Sequence, residues 1–366
     1  MIRVNSINLS GNEKKYISEC IDTNWISGSG KFNYLFEKKI QGLIKKKYAI
    51  STTNGTTALE TAIQALNLKK GDEVILPSFT IISCLNAIIK NGLVPIPVDC
   101  NFDDWNMDVN QVERKITRKT KAIMVVHIYG LASNIKKIIN LKKKYKLIII
   151  EDAAEAIGLK YFDNKYCGYY GDITTFSFYA NKHITTGEGG MVLTNNKKIA
   201  ERSNKIINLF FKKPRFLHDE IGSNFRFTNL QAAVGLAQYE KLNSTIRKKK
   251  QIGRLYQENL KDLKNVYLPL SKNNFSENLY WVYGIVLKKN CKIRRELICK
   301  KLFSKGIETR PFFWPIHQQP IFNGKKKYYL KNAEYISRNG FYLPSGISLK
   351  KKEIKFVSDE LKKILK

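Results

Sequence analysis

Between residues 48 and 195 the apolar positions fall into two alternating patterns. Short runs rich in β-branched and aromatic residues read as strands: YAISTT, DEVILP, VPIPVD, KAIMVVHIYG, LIIIEDA, DITTFSF and GGMVLT. Between the first two, GTTALETAIQALNL places Leu59, Ala62, Ile63 and Leu66 on one helical face, with Gly55 and Thr56 at its start. The segments ISCLNAIIKNG and NIKKIINLKKKY repeat that period. Alternation of this kind predicts an α/β fold, with a mostly parallel seven-stranded sheet covered by helices. Ligands of such sheets gather at the carboxyl ends of the strands.

Further along, LQAAVGLAQYEKLNSTIRKKKQIGRLYQENL predicts one long helix from about Asn229, of a length suited to connecting two domains. The segments YWVYGIVL, IRRELICKKLFSKG and ETRPFFWPIH follow, with a closing helix from about Lys351. Strands and helices are mixed there rather than alternating, which predicts a smaller α+β domain. The expected division is residues 1–244, an N-terminal segment with the large α/β domain, and residues 245–366.

Composition changes this picture only in part. The chain of 366 residues carries 64 Lys plus Arg against 31 Asp plus Glu, a formal charge of +33. A total that high would suit nucleic acid, but the lysines lie in short scattered runs: Lys45–Lys47, Lys142–Lys144, Lys248–Lys250, Lys325–Lys327 and Lys350–Lys352. No basic arm, stripe or nucleic-acid motif accompanies them, so solvated helical faces are the expectation and a nucleic-acid partner is not. The field still favours anionic, phosphate-bearing substrates. Six cysteines without a CxxC pair read as reduced thiols, and no metal-ligand spacing is present. The opening MIRVNSINLSGNE lacks an apolar leader core, and no uncharged apolar run approaches the roughly 18 residues that span a bilayer. A soluble, cytoplasmic protein without a membrane partner is expected.

Several side chains fall where one site could use them. In TTNGTTAL a strand ends and Gly55, Thr56 and Thr57 open a helix, whose free N–H groups can bind phosphate; simple capping is the alternative. Asp152 ends the buried run LIIIED and calls for a cation or good donors, unless it only caps the next helix. In TFSFYANKHITTGEGG, Ser177 could donate to a phosphate, and Lys182 follows on a turn closed by Gly187, Gly189 and Gly190. Apolar walls would depress the lysine's pKa and free its amine to attack a carbonyl. A phosphate cradle, a carboxylate for a pyridine nitrogen and an amine are the parts that pyridoxal 5'-phosphate needs.

These segments, with GNEKKYISECIDTNWISGSGKFNYLFE, GDEVILPSFT, EDAAEAIG, SNFRFTNLQAAVGLAQ and GIETRPFFWPIHQQP, resemble the DegT/StrS family of sugar-nucleotide aminotransferases nearly end to end. The resemblance implies the pyridoxal-phosphate transferase fold of type I and a homodimer with shared active sites. It implies that L-glutamate leaves as 2-oxoglutarate, its amino group passing through pyridoxamine phosphate to a nucleotide-linked 4-keto-6-deoxyhexose. EDAAEAIG and IETRPFFWPIH look most like the perosamine-forming branch, which aminates a GDP-linked sugar; UDP- or dTDP-linked sugars are the alternatives.

By the same likeness Lys182 bonds to the cofactor and shuttles the proton, Asp152 pairs with the ring nitrogen, and Gly55, Thr56 and Ser177 hold the phosphate. Glu155 falls near a polar group beside the ring hydroxyl, or is an ordinary helix-surface glutamate. Where many relatives carry an aromatic residue over the ring this chain has Ile81, so Phe79 or Ile81 covers it. Asn224 or Arg226 would reach a neighbouring subunit's cradle, an intrachain ion pair being the alternative for Arg226. Trp25, Ser27 and Gly28 resemble an N-terminal substrate loop, and Arg310 with His317 a C-terminal one, unless His317 is merely packed. Two rival functions remain at this stage. Related dehydratases carry histidine at the lysine position, and His183 follows Lys182 here. A basic, non-enzymatic binding protein on the same scaffold is the other.

Overall fold

The computed structural model describes residues 1–322 and 328–366; the Lys325–Lys327 run lies outside the described residues. All seven predicted runs form strands: β1 (Tyr48–Thr52), β2 (Glu73–Pro77), β3 (Val94–Val98), β4 (Thr120–Val126), β5 (Ile148–Asp152), β6 (Ile173–Ser177) and β7 (Gly190–Thr194). They make one sheet in the order β1-β7-β6-β5-β4-β2-β3. Only β7 runs antiparallel to its neighbours, β1 and β6. Successive side chains of a strand point to opposite faces, and here both faces are covered. Ile123, Val125, Ile149, Phe176 and Met191 enter one core, and Ala122, Met124, Ile150, Ile173 and Val192 the other. Helix Gly55–Ala65 packs across β6 and β7, which brings its N-terminus to the carboxyl end of β6.

A second sheet, of four antiparallel strands in the order β10-β11-β9-β8, comprises β8 (Val266–Tyr267), β9 (Tyr283–Leu287), β10 (Arg310–Pro311) and β11 (Gly340–Leu343). Its core joins Tyr283, Ile285 and Phe341 to Tyr256 of helix Leu242–Leu260 and Leu361 of helix Lys351–Leu365. The single long helix expected from about Asn229 is instead two, Asn229–Glu240 and Leu242–Leu260, meeting at Lys241. Nothing at the junction breaks helices by composition. The N-terminal segment anchors it: Tyr16 and Asn12 donate to Glu240 at 2.6 and 2.7 Å, and Lys241 donates to Ser10 at 2.6 Å. Beyond Lys241 the second helix turns to follow the C-terminal helix. The chain start also departs from the expected division. Ile2 pairs with Ile307, and Val4 bonds with Glu308 and Ser345, so the first residues attach to the four-stranded half.

All six cysteines are unpaired. No helix among the described residues is long and apolar enough to cross a membrane.

Strand β5 is fixed by its penultimate residue. Glu151, fully buried, accepts from His127 Nε2 at 3.0 Å, Tyr161 at 3.1 Å, and the N–H groups of Gly168 and Gly171 at 2.6 Å each. Ser133 N–H donates to His127 Nδ1, so the ring proton sits on Nε2 and points at Glu151. Burial pushes the Glu151 carboxyl up, but these donors outweigh it and hold it below the usual glutamate range. A depressed folded value gives stability that is present above the unfolded pKa of about 4.3 and lost as pH falls through the lower folded one. Glu151→Gln turns one acceptor into a donor facing other donors. It should cost about 3 kcal/mol at neutral pH, with a flatter acid limb, read from denaturant midpoints between pH 3 and 7.

Candidate active site

The carboxyl ends of β4, β5 and β6 and the start of helix Gly55–Ala65 converge on a cavity of about 730 Å³, closed on the other side by Trp281, Arg310, Phe313 and Tyr342. At the helix start Asn54 is the N-cap: its side chain accepts from Thr57 N–H at 2.9 Å, and its own N–H donates to the Thr57 hydroxyl at 3.1 Å. Thr57 is therefore committed to the cap. The N–H groups of Gly55 and Thr56, which a helix cannot satisfy internally, are left facing the cavity with the positive end of the helix dipole. Ser177 lies against them so closely that a Cβ on Gly55 would fall 2.7 Å from its Cβ and 2.9 Å from its Oγ. Gly55→Ala should thus displace Ser177 and weaken cofactor binding at least tenfold, the loss of about one good hydrogen bond to a charged group. A spectroscopic titration of the cofactor measures it.

Asp152, at the tip of β5, is buried beside this cradle and opposite Glu151 across the strand. Its Oδ1 accepts from Ala154 N–H at 3.0 Å and weakly from Thr175 at 3.5 Å; among the described residues its Oδ2 accepts only from the Cys84 thiol at 3.3 Å. Burial pushes its carboxyl up, against the pull of Ala154, Cys84 and Lys182. A thiol is a poor donor, so this carboxylate lacks a strong charged partner. A protonated ring nitrogen supplies one, and in that respect the site fits pyridoxal phosphate.

Lys182 projects into the same cavity. Its Nζ lies 3.9 Å from the centre of the Trp281 ring and 4.0 Å from Glu155 Oε1. Burial lowers its pKa, while Glu155 and Asp152 oppose that. Glu155 is itself raised by burial, with Lys182 and the Tyr129 N–H, 2.9 Å from its Oε2, pulling it back. Both shifts favour the neutral amine that attacks a carbonyl. His183, the next residue, turns away to lie with Lys249, Gln238 and Thr245 on the far side of the turn. Burial and the nearby lysines push its pKa down to about 3, so the imidazole is neutral. It is Lys182, not His183, that lines the cavity.

Of the residues singled out in the sequence, Gly55, Thr56, Thr57, Ile81, Asp152, Glu155, Ser177, Lys182 and Arg310 line this one cavity. Phe79 does not: fully buried, it packs on Tyr129, Phe312 and Phe313, leaving Ile81 on the wall. His317 is held between Ser78 Oγ at 2.6 Å and Glu334 at 3.1 Å with its side chain 2% exposed, a packed histidine rather than a free contact. Trp25, Ser27, Gly28 and Arg226 gather elsewhere. Asn229 donates from its side-chain amide to the Trp25 carbonyl and from its backbone N–H to the Ser27 carbonyl, and a Cβ on Gly28 would touch Arg226. Arg226 bridges to Thr52 and Asn224 to Asn208, with Asn224 exposed. The alternative for Arg226, an intrachain ion pair, is not formed among the described residues. Trp281, Tyr342 and Phe313 were not anticipated; they enter from the four-stranded half, and only Phe313 lies in a motif singled out above, GIETRPFFWPIHQQP.

Comparison with known proteins agrees with this geometry. Residues 8–362 match the family described as DegT/DnrJ/EryC1/StrS aminotransferases. A GDP-perosamine synthase of Escherichia coli O157:H7 is 42% identical over 361 residues, covering 96% of this chain and 95% of that protein. A GDP-perosamine synthase of Vibrio cholerae is 37% identical over 366 residues, covering 99% and 98%. Among solved structures, DesI in the presence of its TDP-sugar product superposes with a TM-score of 0.91 at 27% identity, covering 100% of this chain and 92% of that one.

Proposed function

The chain belongs to the DegT/DnrJ/EryC1/StrS family of pyridoxal-phosphate-dependent sugar-nucleotide aminotransferases, and from that premise we propose that it moves the amino group of L-glutamate onto C4 of a GDP-linked 4-keto-6-deoxyhexose, converting GDP-4-keto-6-deoxymannose to GDP-perosamine. The observation that carries this reading is Lys182, a buried amine facing Asp152 and Glu155 beside the Gly55 cradle, in a chain 42% identical to a GDP-perosamine synthase. When bound, the cofactor supplies an electron sink beside the carbon that loses its proton.

The chain's own residues do the rest. Gly55, Thr56 and Ser177 bind the phosphate through N–H and hydroxyl donors. Asp152 keeps the ring nitrogen protonated, and Ile81 and Trp281 exclude water. Lys182 would hold the cofactor and would carry the proton to and from the substrate carbon. Glu155, its carboxyl raised by burial, would hold a proton 4.0 Å from the Lys182 amine. Arg310, half-exposed at the cavity mouth and only 3.8 Å from Glu308, is placed to pair with a diphosphate. The patch of Trp25, Ser27, Gly28, Asn224 and Arg226 is left to complete the cavity of a second subunit in a homodimer.

The likeness to DesI favours a second reading, in which the sugar carries dTDP or UDP instead. The pyridoxamine-phosphate form, offered GDP-, UDP- and dTDP-linked 4-keto sugars in turn, should recover the absorbance of the lysine-bound cofactor fastest with the GDP sugar. Recovery with only a dTDP or UDP sugar would move the assignment to that reading, and recovery with only a 3-keto sugar would reject amination at C4. His183 lies outside the cavity while Lys182 lines it, which speaks against the dehydratase alternative.

A further inference from the structure

Behind the cavity another lysine is buried with no counterion among the described residues. Lys249, on helix Leu242–Leu260, is 4% exposed. Its ammonium donates to two backbone carbonyls, Trp281 O and Ser345 O, each at 2.7 Å. Burial pushes its pKa down to about 7, and no acidic group counters the shift. An ammonium so placed costs free energy unless its hydrogen bonds do something that a packed methylene chain could not.

What they hold is Trp281. Its ring lies over the Lys182 amine, and its indole N–H donates to Asn181 O at 2.9 Å, one residue before that lysine. The chain reaches this position through Tyr280, whose φ of +52° is left-handed, a conformation that needs outside support in a bulky residue. Support comes from three sides. Asn278 Oδ1 accepts from Tyr280 N–H at 2.6 Å. Gly130 passes so near that a Cβ there would lie 2.8 Å from the backbone nitrogens of both Tyr280 and Trp281. Gly253, one turn along the same helix from Lys249, lets that helix press onto the Tyr280 ring. Lys249 is the member of this set whose side chain hydrogen-bonds to Trp281 itself, and it ties it to Ser345, whose N–H bonds to Val4 O in the first segment of the chain.

We infer that Lys249 is a positioning residue for the transfer reaction: by clamping the Trp281 carbonyl to Ser345, it holds the indole against Lys182 and keeps that amine aligned for bond formation and proton transfer. The mouth of the cavity and the reactive lysine are thereby set by the helix that joins the two halves. This rests on Lys182 being the reactive lysine.

Lys249→Met keeps the stem and removes the two donors; Lys249→Arg restores donors to both carbonyls. In the cofactor-loaded protein, K249M is expected to lower kcat roughly 10-fold to 100-fold with the KM for the sugar nucleotide within about twofold, the scale of a small misplacement of a reacting group. K249R should recover most of it. The absorbance of the lysine-bound cofactor should titrate at a different pH in K249M, a signature that a loss of stability alone would not produce. In a W281F background both effects should largely vanish, because one pathway has already been cut. Effects of K249M that persist undiminished in W281F, or an unchanged kcat and titration, overturn the inference. Should K249M not fold, Lys249→Gln, which keeps a single donor, makes the same comparison with and without W281F under the same criterion. Failure of the underlying reading looks different: borohydride would then not fix the cofactor to Lys182 in the parent protein.

Discussion

Lys182→Ala is expected to lower amino transfer by roughly 10⁴-fold or more, because one substitution removes both the nucleophile and the proton carrier. The protein should nevertheless fold as well as the parent. The amine is buried, its nearest carboxylate is 4.0 Å away, and its strongest neighbour is the Trp281 ring. Removing it relieves a desolvated group rather than breaking a well-made ion pair. Lys182→Arg should be equally inactive, since a guanidinium does not deprotonate under these conditions. Transfer rates measured alongside thermal midpoints separate the two effects, and a rate within tenfold of the parent would contradict the role given to this lysine.

The second large effect belongs to Asp152. Asp152→Asn retains the shape and the acceptor for Ala154 N–H but removes the charge opposite the ring nitrogen. The rate should fall by about 10²- to 10³-fold, the usual scale for losing one preorganised electrostatic partner in a buried site. The pH dependence of stability should shift in a defined direction. Burial raises the Asp152 carboxyl in the cofactor-free protein, so the folded chain holds this proton more tightly than the unfolded one. Its contribution is fully present below the unfolded value of about 3.9 and is lost as pH rises through the folded one. Cofactor-free D152N should therefore be at least as stable as the parent at neutral pH, while the loaded variant loses more. Unfolding curves for both forms, from pH 4 to 8, show whether it does.

Much of this was readable in the sequence because the information is local. Seven apolar runs gave seven strands, and Asp152, Ser177 and Gly55 are chemically distinctive residues at strand ends, where an α/β sheet gathers ligands. The parts that escaped are those fixed by distant segments. Trp281 meets the carbonyl of Asn181 from 100 residues away. His317 looked like a substrate ligand in its Pro-rich turn, yet Ser78 and Glu334 occupy both ring nitrogens. Phe79 and Ile81 were indistinguishable as ring covers until the aromatic cluster of Tyr129, Phe312 and Phe313 claimed the first. The helix break at Lys241 answers to Asn12, Tyr16 and Ser10, none of which a local period can register. Charge misled least where its distribution was read: the +33 total says little about the site, whose cavity sets Glu60, Asp152, Glu155 and Glu188 against Lys90, Lys182 and Arg310.

The central claim is that one lysine among many is reactive because of where the fold places it. Loading the protein with pyridoxal phosphate, reducing with borohydride, digesting and locating the modified residue by mass spectrometry tests it directly. The expected result is a single stoichiometric adduct on Lys182, within TFSFYANKHITTGEGG. An adduct on Lys249 or Lys46, buried lysines whose pKa burial also depresses, or label scattered over surface lysines with Lys182 unmodified, would contradict it.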